Sequence, residues 1–100
     1  MELKRYKDNP ILKPNSKNKW ESKAVFNPAV VFYKNKIHML YRAIGKYKHY
    51  ISKLGYAYSS DGINFKRYGK ITPKGAEDKD VVLFPEKINH NYIILHRPHK

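Results

Sequence analysis

Apolar and polar residues alternate in short blocks along most of this chain, and the blocks have the length of strands. Residues 1–25 are polar and irregular, broken by Asn9-Pro10 and Lys13-Pro14, with Trp20 as the expected core anchor. Residues 29–33 (AVVFY) are apolar, Lys34-Asn35-Lys36 interrupts them, and 37–43 (IHMLYRA) resume, which predicts a β-hairpin. After a basic, tyrosine-rich loop at 45–52, residues 54–58 predict a third strand. Ser59-Ser60-Asp61-Gly62 then predicts a turn, because Asp-Gly suits positive φ, and 63–67 a fourth strand. Residues 69–80, with Pro73 and Gly75, predict a linker, and 81–88 and 92–96 two further strands. No segment carries a helical period. The prediction is an all-β chain: one four-stranded antiparallel meander at 26–68 after an N-terminal segment at 1–25, a linker at 69–80, and the opening of a second unit at 81–100.

The blocks also repeat. Residues 26–43 read FNPAVVFYKNKIHMLYRA and residues 83–98 read LFPEKINHNYIILHRP. Each opens on an aromatic residue and a proline (Phe26 and Pro28, Phe84 and Pro85), turns, and climbs to an arginine preceded by a ring, Tyr41-Arg42 or His96-Arg97. The prolines are 57 residues apart and the arginines 55. A period of this size built from short strands is the mark of a propeller blade, a unit that cannot bury both faces alone. Exposed blade edges, and self-association through them, follow as expectations.

Composition limits the chain to one small domain. It has 100 residues, 41% of them hydrophobic, with nine tyrosines and no cysteine, so neither a disulfide framework nor a thiolate metal site is expected. His38, His49, His90, His96 and His99 lack metal-ligand spacing. No apolar run approaches a membrane span and no signal peptide is legible, so a cytoplasmic protein without a membrane partner is the simplest expectation. Lys and Arg number 21 against 8 acids, a formal charge of +13 that favours anionic partners. The lysines are spread evenly, as on a solvated face, and no RNP or helix-turn-helix pattern accompanies them, which argues against nucleic acid as the partner.

Several long, ordered motifs resemble one known family. The run NPIL, then Trp20-Glu21, then residues 26–43, then SKLGYAYSSDGINF, resembles the first blade of the five-bladed propeller enzymes that phosphorolyse or hydrolyse β-mannosides, the mannosyl-glucose and mannooligosaccharide phosphorylases. EDKDVVLFPEKINHNYIILHRP resembles the opening of that family's third blade. The resemblance implies inorganic phosphate as co-substrate, a β-mannoside as substrate, and no other cofactor. The family's second blade opens on Gly-Val-Glu-Asp-Pro-Arg, whose aspartate is the proposed general acid. Here only Gly75-Ala76-Glu77-Asp78 echoes it, and third-blade text follows. The chain therefore resembles a shortened member with its second blade largely missing and its own catalysis in question.

The resemblance also implies site residues. Asn27 and Arg42 match positions near the non-reducing sugar, and Lys53 stands where the family often has arginine, a swap that keeps charge but loses the planar fork. Lys79 and Arg97 match phosphate-contacting cations. Structural duties compete with each: Asn27-Pro28 as a strand cap, Arg42 as a carboxylate partner, Lys79 as a solvated lysine. Asp78 and Asp80 are the nearby acids able to act as catalytic proton donors, and a mixed-charge linker is the competing account. Tyr41, Tyr47, Tyr50, Tyr56 and Tyr58 form either a sugar-stacking platform or blade packing.

Overall fold

The computed structural model describes residues 2–46, 51–73 and 76–99. Tyr47, His49, Tyr50 and Gly75 lie outside the described residues. The described chain is all-β apart from one 3-10 turn at Lys19–Glu21. Strands β1 (Ala24–Tyr33), β2 (Lys36–Ile44), β3 (Ser52–Ser59) and β4 (Lys66–Lys70) form an antiparallel sheet in sequence order. Strands β5 (Glu77–Leu83) and β6 (Ile94–His99) form a separate antiparallel hairpin.

Local chemistry explains the joins. Lys34 and Asn35 both have positive φ, 48° and 61°, the twist a two-residue hairpin needs, so Tyr33 pairs directly with Lys36. At the β3–β4 turn Gly62 has φ 78°, and the Asp61 carboxylate accepts the backbone N–H groups of Ile63 and Asn64 at 2.9 and 2.8 Å. Those donors are thereby lost to any sheet ladder, so the fourth strand begins at Lys66 rather than at residue 63.

Each face of the large sheet has its own core. One face gathers Met39, Tyr41, Ala43 and Ala57 beneath Ile11, Leu12, Trp20, Val25 and Phe65, so the irregular N-terminal segment is its cover and Trp20 part of its anchor. The rings of Trp20 and Tyr41 stack at 6.2 Å over Gly55, where a Cβ would stand 2.4 Å from Tyr41 Cζ. The other face meets β5: Leu40 and Leu54 pack with Val81 and Leu83, joined by Ala29, Val31, Tyr56 and Ile71. The second hairpin thus lies against the first sheet as one blade lies on the next.

The second hairpin departs from the pattern reading at both ends. β5 starts at Glu77, inside the expected linker, because Glu77 and Asp78 pair with His99 and Pro98 of β6. It ends at Leu83: Phe84 N–H still donates to the Ile93 carbonyl, but Pro85 has no N–H to continue the ladder. Asn89 and His90, both at positive φ, turn the chain between a single bridge of Ile88 and Asn91. Phe84-Pro85 therefore lies beyond its strand, whereas Phe26 and Pro28 lie inside theirs. The repeat is real but set by a different landmark. In β1 the step from Phe26 to Ala29 faces the step from Arg42 to Leu40, and in β5 the step from Asp78 to Val81 faces that from Pro98 to His96. The same bulge, with one extra residue on the first strand, occurs in both hairpins. By register Asn27 corresponds to Lys79, and Arg97 to Tyr41 rather than to Arg42.

Candidate functional site

The two bulges mark the end of the molecule that collects the residues implied by the motifs. Asn27 sits in the β1 bulge at φ 50°, a conformation asparagine tolerates, and its side chain is exposed. Across from Phe26, Arg42 donates from Nε to Ser52 Oγ at 2.8 Å, and its guanidinium lies 5.1 Å from the Phe26 ring centroid. Arg42 is therefore oriented by a hydroxyl and an aromatic face. Lys53 behaves differently: it is only 8% exposed, and its Nζ donates to the Ala76 carbonyl just before β5. Its ammonium straps the second hairpin to the first sheet.

The β5 bulge holds the two candidate acids, and both are engaged. Asp78 is 2% exposed, and its Oδ1 lies 2.7 Å from His96 Nδ1. The carboxylate accepts from that nitrogen, which leaves Nε2 as the free ring nitrogen of a half-exposed imidazole. Asp80, on the solvent side, pairs with Arg97 at 2.6 Å, with both side chains at least half exposed. Lys79 lies between the two aspartates, half-buried, in the place Asn27 holds in β1. The fold thus assembles Asp78, Asp80, Lys79 and Arg97 on one hairpin and Asn27 and Arg42 at the corresponding end of the other. His96 is the addition that the sequence reading missed as a site residue, although its place just before Arg97 in the repeat was the available signal.

A second buried carboxylate underlies the sheet. Glu21, fully buried, accepts from the Tyr41 hydroxyl at 2.7 Å, Asn18 Nδ2 at 2.6 Å and Arg67 Nε at 3.1 Å. Burial, then the hydrogen bond to Glu21 and its charge, pushes the Tyr41 phenol far above its ordinary range. Tyr41 is therefore blade core, not a sugar platform. Tyr56 and Tyr58 lie at the other end of the sheet, near the β1–β2 turn, in contact with each other at 6.0 Å between centroids. Burial, then the neighbouring Tyr92 and Tyr58, raises the Tyr56 phenol. Among the described residues no three His, Cys, Asp or Glu side chains gather as metal ligands.

A family model described as β-1,4-mannooligosaccharide phosphorylase matches residues 2–81. The chain is similar to a 1,2-β-oligomannan phosphorylase of Thermoanaerobacter sp. (strain X514), 34% identical over 159 residues that cover 97% of this chain and 54% of that protein. It is also similar to a β-1,2-mannobiose phosphorylase of the same strain, 38% identical over 114 residues, covering 94% of this chain and 36% of the relative. The chain thus spans about half the length of the first relative and about a third of the second. The first alignment, at 159 residues, is longer than this chain, so the relative carries residues inside the matched stretch that have no counterpart here. Among solved structures, a glycosyl hydrolase from Bacteroides ovatus matches with TM-score 0.57 at 37% identity, over 66% of this chain and 23% of that one. A second, reported with the finding that the GH130 family of mannoside phosphorylases contains glycoside hydrolases targeting β-1,2 mannosidic linkages in Candida mannan, matches with TM-score 0.62 at 32% identity, over 79% and 29%.

Proposed function

The chain belongs to the β-1,4-mannooligosaccharide phosphorylase family, and from that premise we propose that it binds a β-mannoside and phosphate at its bulge end without completing phosphorolysis alone. The observation that carries this reading is the shared bulge. It sets Asn27 and Lys79 at corresponding places on two neighbouring hairpins, with Arg42 and Arg97 on the partner strands. Asparagine and arginine supply paired donors and acceptors for hydroxyls, and Lys79 with Arg97 supplies positive charge for an oxyanion.

Phosphorolysis breaks the bond from the anomeric carbon to the leaving oxygen and forms one to a phosphate oxygen, while an acid delivers a proton to the departing oxygen. That proton donor is what the bulge end lacks in free form. Asp78 is buried against His96, and Asp80 is engaged by Arg97 in an ion pair, so neither carboxyl stands unpartnered. The absence of a full acid motif between Gly75 and Val81 supports the same reading. So does the long alignment to the oligomannan phosphorylase, which is consistent with an internal joint that brings a later blade directly onto the first.

Calorimetric titration tests the binding half. Phosphate is expected to bind the chain weakly, and Lys79→Gln and Arg97→Gln each to weaken it by up to about 1.5–3 kcal/mol, the range of one hydrogen bond to a charged group. Mannobiose of β-1,2 or β-1,4 linkage is expected to lose affinity on Asn27→Ala. Phosphate affinity indifferent to both cation substitutions would remove the proposal.

A further inference from the structure

The opposite end of the sheet carries a pocket that the mannoside reading does not use. Tyr33 lies six residue steps beyond Asn27 along β1, about 20 Å at the rise of an extended strand. There the β1–β2 turn, β3 and the segment between β5 and β6 border an open pocket of about 290 Å³. Its walls are rings. Tyr33 meets Tyr92 edge-on at 5.8 Å, and His38 stacks on Tyr56 at 6.0 Å. The His38 Nε2 faces the Tyr33 carbonyl at 3.4 Å and so donates to it. In the neutral ring Nδ1 is then an acceptor, so the Tyr56 hydroxyl at 2.7 Å donates to His38. These two contacts pair both His38 nitrogens and the Tyr56 hydroxyl within the wall, and the rings of Tyr33, Tyr58 and Tyr92 line the rest of the pocket.

The rim supplies charge of one sign. Lys34 lies 5.6 Å from the Tyr33 centroid and Lys36 5.3 Å from that of Tyr58. Lys87 adds a third cation 4.8 Å over Tyr92. Among the described residues no carboxylate lines the pocket. Ring faces bounded by lysines complement a ligand with an apolar ring face and an anionic group. The cavity lies at the small end of ligand pockets, which span about 300–1,000 Å³, so one ring and one phosphate suit it and an oligosaccharide does not. Tyr33 and Tyr92 are nearly perpendicular at 81°, and His38 is tilted 49° from Tyr92, so these ring pairs offer a flat base no two-sided clamp. A pyranose, thick and lined with C–H groups, sits against tilted rings without needing one. We propose that this pocket is a second ligand site, independent of the bulge end, that takes a hexose monophosphate.

The test is an amide and aromatic NMR titration of the full chain with mannose 6-phosphate, mannose, inorganic phosphate and adenosine monophosphate in separate arms. The sugar phosphate is expected to move His38, Tyr56 and Tyr92 resonances saturably and to bind more tightly than the other probes. A Lys34→Gln, Lys36→Gln double variant is expected to lose about tenfold in affinity, with Lys23→Gln, an exposed lysine elsewhere, as the unchanged charge control. Melting curves of both variants establish that they remain folded. Shifts confined to Asn27, Arg42 and Lys79 would assign the ester to the bulge end and overturn the second site. Inorganic phosphate binding as tightly as the ester, adenosine monophosphate binding more tightly, or no shift at the pocket, would each overturn it too.

Discussion

Single side chains carry much of the order in this small protein. Glu21 is the clearest case: a fully buried carboxylate with three donors, one of them the hydroxyl of the core ring Tyr41. Removing that donor as Tyr41→Phe is expected to cost about 1–3 kcal/mol, read as a lower urea midpoint, because the carboxylate loses a bond it cannot replace with water. Gly55 is under the same rings, and Gly55→Ala is expected to destabilise by a similar amount, about 1–3 kcal/mol, since the methyl group has no space beside Tyr41. Asp61 makes a pH prediction. Its carboxylate accepts two backbone N–H groups and the Asn64 side chain, which hold it well below the usual carboxylate range. A depressed folded value means its contribution is complete above the unfolded value of about 3.9 and is lost as pH falls through the folded one. The melting temperature should drop on acidification below about pH 4, and less steeply in Asp61→Ala. An equal drop in both proteins would count against this. Of these residues, Asp61-Gly62 was legible as a turn, because the dipeptide has a local mechanism. Glu21 was not legible as a hub, because its partners Tyr41 and Arg67 are distant in sequence.

At the scale of elements, legibility followed the source of the signal. The β1–β2 hairpin and β3 announced themselves through apolar runs and a turn, and the structure keeps them, lengthened at their ends. The first part of β5 did not, because Glu77-Asp78-Lys79-Asp80 reads as a charged linker; only its Val81–Leu83 part lies in a predicted strand. That run becomes a strand only once His96 and Arg97 stand opposite to receive its acids. The two-proline alignment failed for a related reason: Pro28 is housed in a bulge while Pro85 ends a ladder, two different accommodations of a missing N–H. The contact of β5 with the sheet also buries Leu83 at 8% exposure. Leu54, 1% exposed, sits in the centre of that contact with Leu40, Val81 and Leu83. Leu54→Ala is expected to cost about 2–5 kcal/mol. Hydrogen exchange should show β5 and β6 losing protection first, since the variant loosens the joint between the hairpin and the sheet. Uniform loss across all strands would instead mean the two units unfold as one.

For the molecule as a whole, stacking one hairpin on one sheet leaves part of each outer face uncovered, even with the N-terminal segment over one of them. Val30 and Phe32 are 53% and 67% exposed on β1, and Val82 and Leu95, cross-strand partners on the second hairpin, are 57% and 61% exposed. In a closed propeller each such face lies against a neighbour. The isolated 100-residue chain is therefore expected to self-associate in sedimentation as its concentration rises, and Val82→Lys with Leu95→Lys to shift it toward monomer. A concentration-independent monomer would show that these faces need no cover.

The measurement that bears most directly on the central claim is a phosphorolysis assay. Intact chain is incubated with phosphate and β-1,2- or β-1,4-mannobiose, and mannose 1-phosphate is followed over time, alongside Asp78→Asn and Asp80→Asn. With Asp78 committed to His96 and Asp80 to Arg97, no mannose 1-phosphate should accumulate above a protein-free control, while phosphate binding persists in the same preparation. Mannose 1-phosphate formed by the intact chain and lost in either aspartate variant would contradict the account, because it would make one of these paired acids the proton donor.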